Sequence, residues 1–195
     1  MRRSYSDVID AEYDLLFHCP LVDDYQEKII GMSVTPSSLA SPYLDATYGM
    51  HVTVSNSGYN TLSFNVTDSG FVQAMNNRQE FAITCNMGPY TYLREFAGLC
   101  DVRNSSGGLC LSARWYKGQV TPPRDLQSYI YSLAVRRNDG KMDSKTYYDG
   151  GIMHSEVFGS QLTGNRFTVN IGVCWSAGNG YTGFIKDVKI WAKRT

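Results

Sequence analysis

The sequence predicts an all-β fold, in which many short antiparallel strands form a sandwich or a barrel. Tyrosine, phenylalanine and glycine are abundant, with 14, 8 and 18 of the 195 residues. Aromatic residues favour strands, and glycine favours the turns between them. Strand-like runs follow one another about 8–12 residues apart, which is typical of sandwiches and barrels. No internal repeat or linker interrupts this pattern, so one domain is the simplest interpretation.

The opening of the chain is the exception, because residues 4–13 have helical potential. Ser4 and Ser6 can cap a helix, and Val8 and Ile9 would give it a short apolar side. We therefore divide the chain into an N-terminal helical or extended segment, 1–13, that packs on the sandwich, and the sandwich domain itself, 14–195.

The predicted strands are bounded by turn residues. N-D-G at 138–140 and D-G-G at 149–151 are tight-turn sequences, because Asn, Asp and Gly tolerate the positive φ that short hairpins need. These two turns predict a meander of three antiparallel strands. In chain order the predicted strands are 15–19, 29–34, 50–54, 61–66, 81–87, 92–99, 108–115, 128–136, 145–148, 152–157, 167–173 and 184–191.

Composition excludes several classes of protein. The 18 basic and 18 acidic residues cancel, so the basic surface expected of a nucleic-acid-binding protein is missing. No run approaches the roughly 18 consecutive apolar residues of a membrane span. The N-terminus lacks the apolar core of a secretory signal, so we expect cytoplasmic synthesis.

The five cysteines form neither a metal-binding nor a clear disulfide pattern. Cys19, Cys85 and Cys174 fall in apolar runs, where cysteine behaves as a small buried hydrophobic residue. Cys100 and Cys110 flank a hairpin loop and are near enough in sequence to pair. Their redox state stays open, although the lack of a secretion signal favours free thiols.

Four motifs, in order along the chain, resemble the concanavalin A-like, laminin-G-like modules. L-L-F-H-C-P-L-V-D-D from Leu15 resembles their first strand, and F-A-I-T-C-N-M from Phe81 a later core strand. Residues 128–156, with Y-D-G-G at 148–151, are similar to their central meander. G-F-I-K-D-V-K-I-W from Gly183 is similar to their closing strand. The resemblance is weak between 33 and 79, and it implies a two-sheet jelly-roll sandwich.

The same resemblance implies that the first and last strands pair near the middle of a sheet. Strict alternation along the last strand gives one face with Phe184, Val188, Ile190 and Ala192, and another with Ile185, Asp187, Lys189 and Trp191. Apolar residues on both faces indicate a bulge near Lys186 and Asp187, or cover of the outer face by the N-terminal segment.

No catalytic motif is found, so we expect a protein that is not an enzyme. The related glucanases carry E-x-D-x-x-E on one strand face, and retaining hydrolysis needs two carboxyl groups about 5–5.5 Å apart. Glu12 and Asp14 match the first two positions, but the third carboxylate is missing. His18 alternates with apolar neighbours and is expected to be structural.

The resemblance also implies, as a weaker alternative, a calcium ion at a rim of the sandwich, and we expect no other cofactor. Asp68 and Asn179 lie in suitable loops, but both are also ordinary turn residues. The acid-rich loops of a tight calcium site are missing.

The candidate ligand-binding residues are mostly aromatic, because proteins hold sugars with aromatic faces beside a few planar polar groups. Trp175, Asn179 and Tyr181, in a glycine-rich loop before the last strand, come first, although Trp175 could equally fold back over the core. Trp115 and Tyr116 at a strand end, and Tyr147 on a sheet face, complete the set.

Two functions remain open. One, implied by the resemblance, is a non-catalytic glycan-binding or adhesion module. The other is a structural protein, such as a bacteriophage head or tail decoration protein, that uses the sandwich only for protein–protein contacts. A Met-initiated domain without a signal peptide fits a component of a virion, another particle or a cell surface. The protein partner and homo-oligomerisation stay open.

Overall fold

The computed structural model describes residues 5–37, 42–54, 60–93, 96–116, 120–173 and 181–195. Its elements are α1 (Tyr5–Glu12), β1 (Tyr13–Cys19), β2 (Tyr43–Asp45), β3 (Gly49–Val54), β4 (Asn60–Val66), α2 (Ser69–Asn77), β5 (Glu80–Leu93), β6 (Phe96–Arg103), β7 (Leu109–Tyr116), β8 (Ser128–Arg136), β9 (Lys141–Tyr148), β10 (Gly151–Gln161), β11 (Phe167–Val173) and β12 (Tyr181–Lys193).

The strands form two antiparallel sheets that pack face to face. The larger sheet has the order β10-β9-β8-β5-β12-β3-β2, with β1 also paired to β12, and the smaller sheet has the order β4-β11-β6-β7. Their inner faces enclose one core, in which Phe17, Phe64, Phe81 and Phe167 are fully buried. This arrangement confirms the predicted all-β sandwich with a short N-terminal helix.

The first and last strands pair as predicted, near the middle of the larger sheet. Phe17 lies opposite Ile190, and Cys19 lies opposite Val188. β12 borders β5 along one side, whereas its other side pairs first with β3 and then with β1. The end of the chain is therefore fixed by three neighbouring strands.

A bulge in β12 lies where its partner changes from β3 to β1. The pairing with β5 gains one extra residue between Lys186 and Lys189, and Asp187 has a positive φ of 55°. An extra residue reverses the alternation of faces, so Ile185 before the bulge and Val188 after it both enter the core. The predicted position of the bulge is confirmed. The predicted faces of Phe184 and Ile185 were wrong, because strict alternation was counted through the bulge.

The N-terminal helix covers part of the outer face of the larger sheet. Ile9 of α1 and Tyr13 pack with Trp191, Ala82 and Tyr131 in a second apolar cluster. The indole N–H of Trp191 donates to Thr84 Oγ1 at 3.1 Å. The predicted cover of this face by the N-terminal segment is confirmed.

One predicted strand, 29–34, is instead a loop organised by a buried carboxylate. Glu27 accepts hydrogen bonds from the main-chain N–H groups of His18, Ile29 and Ile30, at 2.8, 2.8 and 2.6 Å. These main-chain donors are therefore satisfied without a strand partner. The β propensity of the segment is overridden by this local arrangement.

Asp68 begins a helix that the sequence did not predict. Its Oδ1 accepts from the main-chain N–H of Phe71 at 2.8 Å and caps α2, as Asp commonly does at helix N-termini. Phe71 and Met75 of this helix are buried. The carboxylate of Asp68 thus caps a helix, and calcium binding at Asp68 stays a prediction.

The described cysteines Cys19, Cys85, Cys100 and Cys110 are free, buried thiols, and Cys174 lies outside the described residues. Cys100 is opposite Ala113 rather than Cys110 in the β6–β7 pairing. Burial raises the pKa of the Cys19 and Cys85 thiols to about 12. Because the thiolate is the reactive form, these two side chains are poor nucleophiles.

Candidate functional site

Two of the predicted ligand-binding aromatics are core residues. Trp115 is 1% exposed, and its ring packs edge-on against Tyr90 with centroids 5.2 Å apart. Tyr181 is 3% exposed and donates its hydroxyl to the main-chain carbonyl of Phe184 at 2.9 Å. Both rings face inward, so neither is available to a surface ligand. This corrects the expectation for Trp115 and Tyr181. Trp175 and Asn179 lie outside the described residues.

Tyr116, in contrast, is 45% exposed. It ends β7, which is an edge strand of the smaller sheet and contacts β10, an edge strand of the larger one. The ring of Tyr116 lies over the imidazole of His154 on β10, with centroids 6.5 Å apart and planes at 26°. We call Arg114, Tyr116, His154 and Glu156 the seam site, since they lie where the two sheets meet.

The charged side chains of the seam site bond to one another. Glu156 Oε2 accepts a hydrogen bond from Arg114 Nη1 and lies 3.1 Å from His154 Nε2. Arg114 Nε donates to Ser112 Oγ at 3.0 Å, and its guanidinium lies over the Phe158 ring at 5.2 Å. Burial lowers the pKa of Arg114, but a guanidinium stays charged at neutral pH. The carboxylate therefore balances a buried positive charge.

Small hydroxyl residues on the inner face of the larger sheet fix the position of β7. Ser132 Oγ donates to the main-chain carbonyl of Ser112 at 3.0 Å, and Thr146 Oγ1 accepts from the main-chain N–H of Arg114 at 3.2 Å. An edge strand exposes unpaired main-chain groups, and here side chains satisfy two of them. The backbone that carries Arg114 and Tyr116 is consequently anchored to β8 and β9.

The seam site combines the groups that recognise sugars. Tyr116 offers an aromatic surface for the apolar C–H face of a sugar ring, and Glu156 and His154 offer planar hydrogen-bonding groups for its hydroxyls. Because the negative charge of Glu156 compensates the positive charge of Arg114, the net charge of the site does not by itself select a charged ligand. Its chemistry fits a polyhydroxyl compound.

Tyr147 lies on the outer face of the larger sheet, as its alternation with Tyr148 predicts. Its ring stacks on that of Tyr131, with centroids 5.0 Å apart and planes at 12°. Tyr147 also lines a shallow groove of about 250 Å³, together with Leu133, Val135, Asp143 and Lys145. Tyr147 forms an aromatic wall of this outer groove, and Asp143 and Lys145 supply one group of each charge. Most of the Tyr131 ring, on which Tyr147 stacks, is buried.

A third aromatic surface was missed by the sequence analysis. Tyr43, Tyr48, His51 and Phe184 form a cluster on β2, β3, β12 and the β2–β3 turn, which we call the hairpin surface. Its sequence signal is the alternation in M-H-V-T-V from Met50, which directs His51 away from the core. Tyr43 lies in the region where the family resemblance is weak, and Phe184 was assigned to the wrong face.

Asp14, which matches the aspartate of the glucanase motif, has structural partners. Asp14 accepts from Arg194 Nε at 2.9 Å and lies 3.4 Å from Arg78 Nη2. Among the described residues, no group of three or more His, Cys, Asp or Glu side chains is placed to hold a metal ion. None of the described helices is both long and apolar enough to cross a membrane.

Solved structures with a similar fold include two botulinum toxin proteins and a domain of a glycoside hydrolase. One structure concerns botulinum neurotoxin type C, whose cell entry is dependent on interaction with two ganglioside molecules. It has a TM-score of 0.52 and 12% identity, covering 97% of this chain and 50% of that one. The serotype G binding domain has a TM-score of 0.50 and 12% identity, covering 93% and 48%. Domain 4 of AbnA, an extracellular arabinanase of Geobacillus stearothermophilus in complex with arabinotriose, has a TM-score of 0.47 and 15% identity, covering 93% and 94%.

The likenesses to the two toxin structures show a shared fold. This chain spans about half the length of the two toxin proteins. No protein-family model and no curated protein matches the sequence. Because one fold hosts many functions, the function has to be argued from the surfaces described above.

Proposed function

We propose that the protein is a non-catalytic glycan-binding module and that the seam site binds the glycan. The observation that carries this proposal is the exposed Tyr116 ring lying over His154, whose imidazole bonds to Glu156. An aromatic face beside fixed planar polar groups is the arrangement that sugar binding needs. The similar botulinum neurotoxin type C structure, whose cell entry is described as dependent on interaction with two ganglioside molecules, is compatible with this class of ligand.

The sandwich is proposed to belong to the concanavalin A-like, laminin-G-like group. The pairing of β1 with β12 and the β8–β9–β10 meander agree with the motifs that resemble this group. Asp14, which matches the aspartate of the glucanase motif, is instead bonded to Arg194 and Arg78. That use of Asp14 supports a binding role over hydrolysis.

A polysaccharide-binding assay tests the seam site. Wild-type protein, Tyr116→Phe and Tyr116→Ala are compared by glycan array and by affinity electrophoresis in polysaccharide gels, with the exposed Leu126→Ala as a control. We expect Tyr116→Ala to weaken binding about tenfold, the scale of one aromatic contact, and Tyr116→Phe and Leu126→Ala to bind as wild type does. A wild-type protein that binds no glycan would contradict the proposal.

A structural role in a virion or other particle is the second proposal. Val135, Ile152 and Val157 are 51%, 43% and 43% exposed on the outward face of the larger sheet. Val135 and Val157 flank Asp143 of β9, whereas Ile152 lies further along β9, beside Tyr147. Exposed aliphatic residues on one sheet face favour contact with another protein. Mass measurement in solution tests this role; a strictly monomeric protein that captures no particle component would count against it.

A further inference from the structure

The hairpin surface is a continuous aromatic row across three strands. Tyr43 pairs with His51 across β2 and β3, and His51 pairs with Phe184 across β3 and β12. The Tyr43 and His51 rings are 4.7 Å apart with planes at 16°, and Phe184 supports both from the edge. Tyr43 is 53% exposed, so a large part of an already positioned ring faces solvent.

Hydrogen bonds in the turn hold this surface in place. Asp45 Oδ1 accepts from the main-chain N–H groups of Thr47 and Tyr48, both at 2.8 Å, and Gln127 Nε2 donates to the Tyr48 carbonyl at 2.9 Å. Gly49 has φ +95°, and a Cβ there would lie 2.5 Å from the carbonyl oxygen of Ile185. The turn therefore packs directly on β12, and little ordering is needed when a ligand binds.

Lys186 adds a positive charge at the β2–β3 turn of this surface. Its ammonium group donates to the main-chain carbonyls of Thr47 and Ala46, at 2.9 and 3.5 Å, and every hydrogen bond described for it is to a main-chain oxygen. One oxygen of the Asp45 carboxylate, in the residue before Ala46, already accepts the two main-chain hydrogen bonds of the turn. An ammonium group has three donors, and the hydrogen bonds to Thr47 and Ala46 leave one of them for an anionic group.

We propose that the hairpin surface binds a saccharide that carries a carboxylate. The C–H face of the sugar ring stacks on Tyr43, and the carboxylate accepts from Lys186. An apolar protein partner is disfavoured here, because it would bury an ammonium group whose described hydrogen bonds are to main-chain oxygens and not to a carboxylate. An acidic sugar satisfies both the aromatic ring and the charge.

This surface is separate from the seam site. β2 and β10 lie at opposite ends of the larger sheet, and the two surfaces share no residue. The proposal therefore does not depend on glycan binding at Tyr116, and the two can fail separately.

Isothermal titration with oligogalacturonates, and with neutral cello-oligosaccharides for comparison, tests the proposal. We expect Tyr43→Ala to weaken the binding of oligogalacturonates about tenfold and Tyr43→Phe to retain it. Lys186→Gln should weaken oligogalacturonate binding about fivefold and abolish its salt dependence, since the charge contact is screened by salt. The oligogalacturonate binding that Tyr43→Ala removes should persist in Tyr116→Ala, because the two surfaces share no residue, and melting temperatures check that each variant is folded.

The outcomes distinguish the two sites. Oligogalacturonate binding that is lost in Tyr43→Ala and kept in Tyr116→Ala supports the hairpin site, whatever the seam site does. Binding that depends on Tyr116 alone supports the proposed function and overturns this inference. Wild-type protein that binds no oligogalacturonate, or a Lys186→Gln variant with unchanged affinity and salt dependence, also overturns it.

Discussion

The seam site and the hairpin surface each place an exposed tyrosine over a histidine, but the two histidines are held differently. At the seam, His154 bonds to a carboxylate that also balances the buried Arg114, and the rings are 6.5 Å apart. At the hairpin, His51 is packed between Tyr43 and Phe184, with the Tyr43 ring at 4.7 Å. The same pair of residues is therefore supported by charge in one place and by aromatic packing in the other. Mutation and pH should separate the two.

Removing residues 183–195 should have the largest effect. This deletion takes away Phe184 of the hairpin surface and most of the strand that pairs with β1, β3 and β5. We expect no cooperative thermal unfolding, because the core loses its central strand. Deletion of Thr195 alone is the control and should melt as wild type does. A native, cooperative melt of the longer deletion would refute the pairing described here.

Glu156→Ala should destabilise the protein by about 3 kcal/mol, because it removes the carboxylate that bonds to the buried Arg114 charge. Lys186→Gln at the hairpin should cost less than about 0.5 kcal/mol, as expected for a surface substitution. Urea unfolding measures both. Equal losses in the free energy of unfolding would mean that charge stabilises the seam site no more than the hairpin surface.

Protonation should affect the hairpin through His51, whose pKa is lowered by burial. In the unfolded chain His51 binds a proton at about pH 6.5, whereas in the folded chain it does so only at a lower pH. The free energy of unfolding should therefore fall as the pH drops below about 6.5, by at most about 1.4 kcal/mol per pH unit from this group. His51→Phe keeps an aromatic ring but does not titrate, so its stability should fall less over this range. Parallel pH profiles for both proteins would contradict this role of His51.

Tyrosine-to-alanine substitutions should give the smallest differences in stability. Tyr43→Ala removes a close stack and should cost about 1 kcal/mol. Tyr116→Ala removes a looser one and should cost less than about 0.5 kcal/mol. Thermal unfolding of the two variants side by side checks the order, and the reverse order would show that the seam pair is the tighter one.

Much of the fold follows from the sequence. Periodicity and turn residues predict β8 and β11 with the observed bounds, Ser128–Arg136 and Phe167–Val173, and the resemblance predicts the pairing of β1 with β12. The failures have local causes. A single extra residue near Asp187 reverses the faces before it, and the carboxylate of Glu27 replaces a strand partner.

The surfaces are less predictable than the fold. Tyr116 and Tyr147 are found because they stand at a strand end and on an outward position. Trp115 was misjudged, because its burial depends on Tyr90 of a distant strand. The partners of Tyr116, His154 and Glu156, come from β10, so only the tertiary arrangement reveals the seam site. The hairpin surface likewise depends on the pairing of β2, β3 and β12.

Saccharide titration followed by two-dimensional NMR tests the central claim, glycan binding at the seam, most directly. A glycan selected on an array is added to labelled wild-type protein and to Tyr116→Ala. We predict saturable shifts at Tyr116, His154 and Glu156 in wild type, and the loss of these shifts in the variant. Shifts that avoid the seam, or that persist unchanged in Tyr116→Ala, would contradict the account.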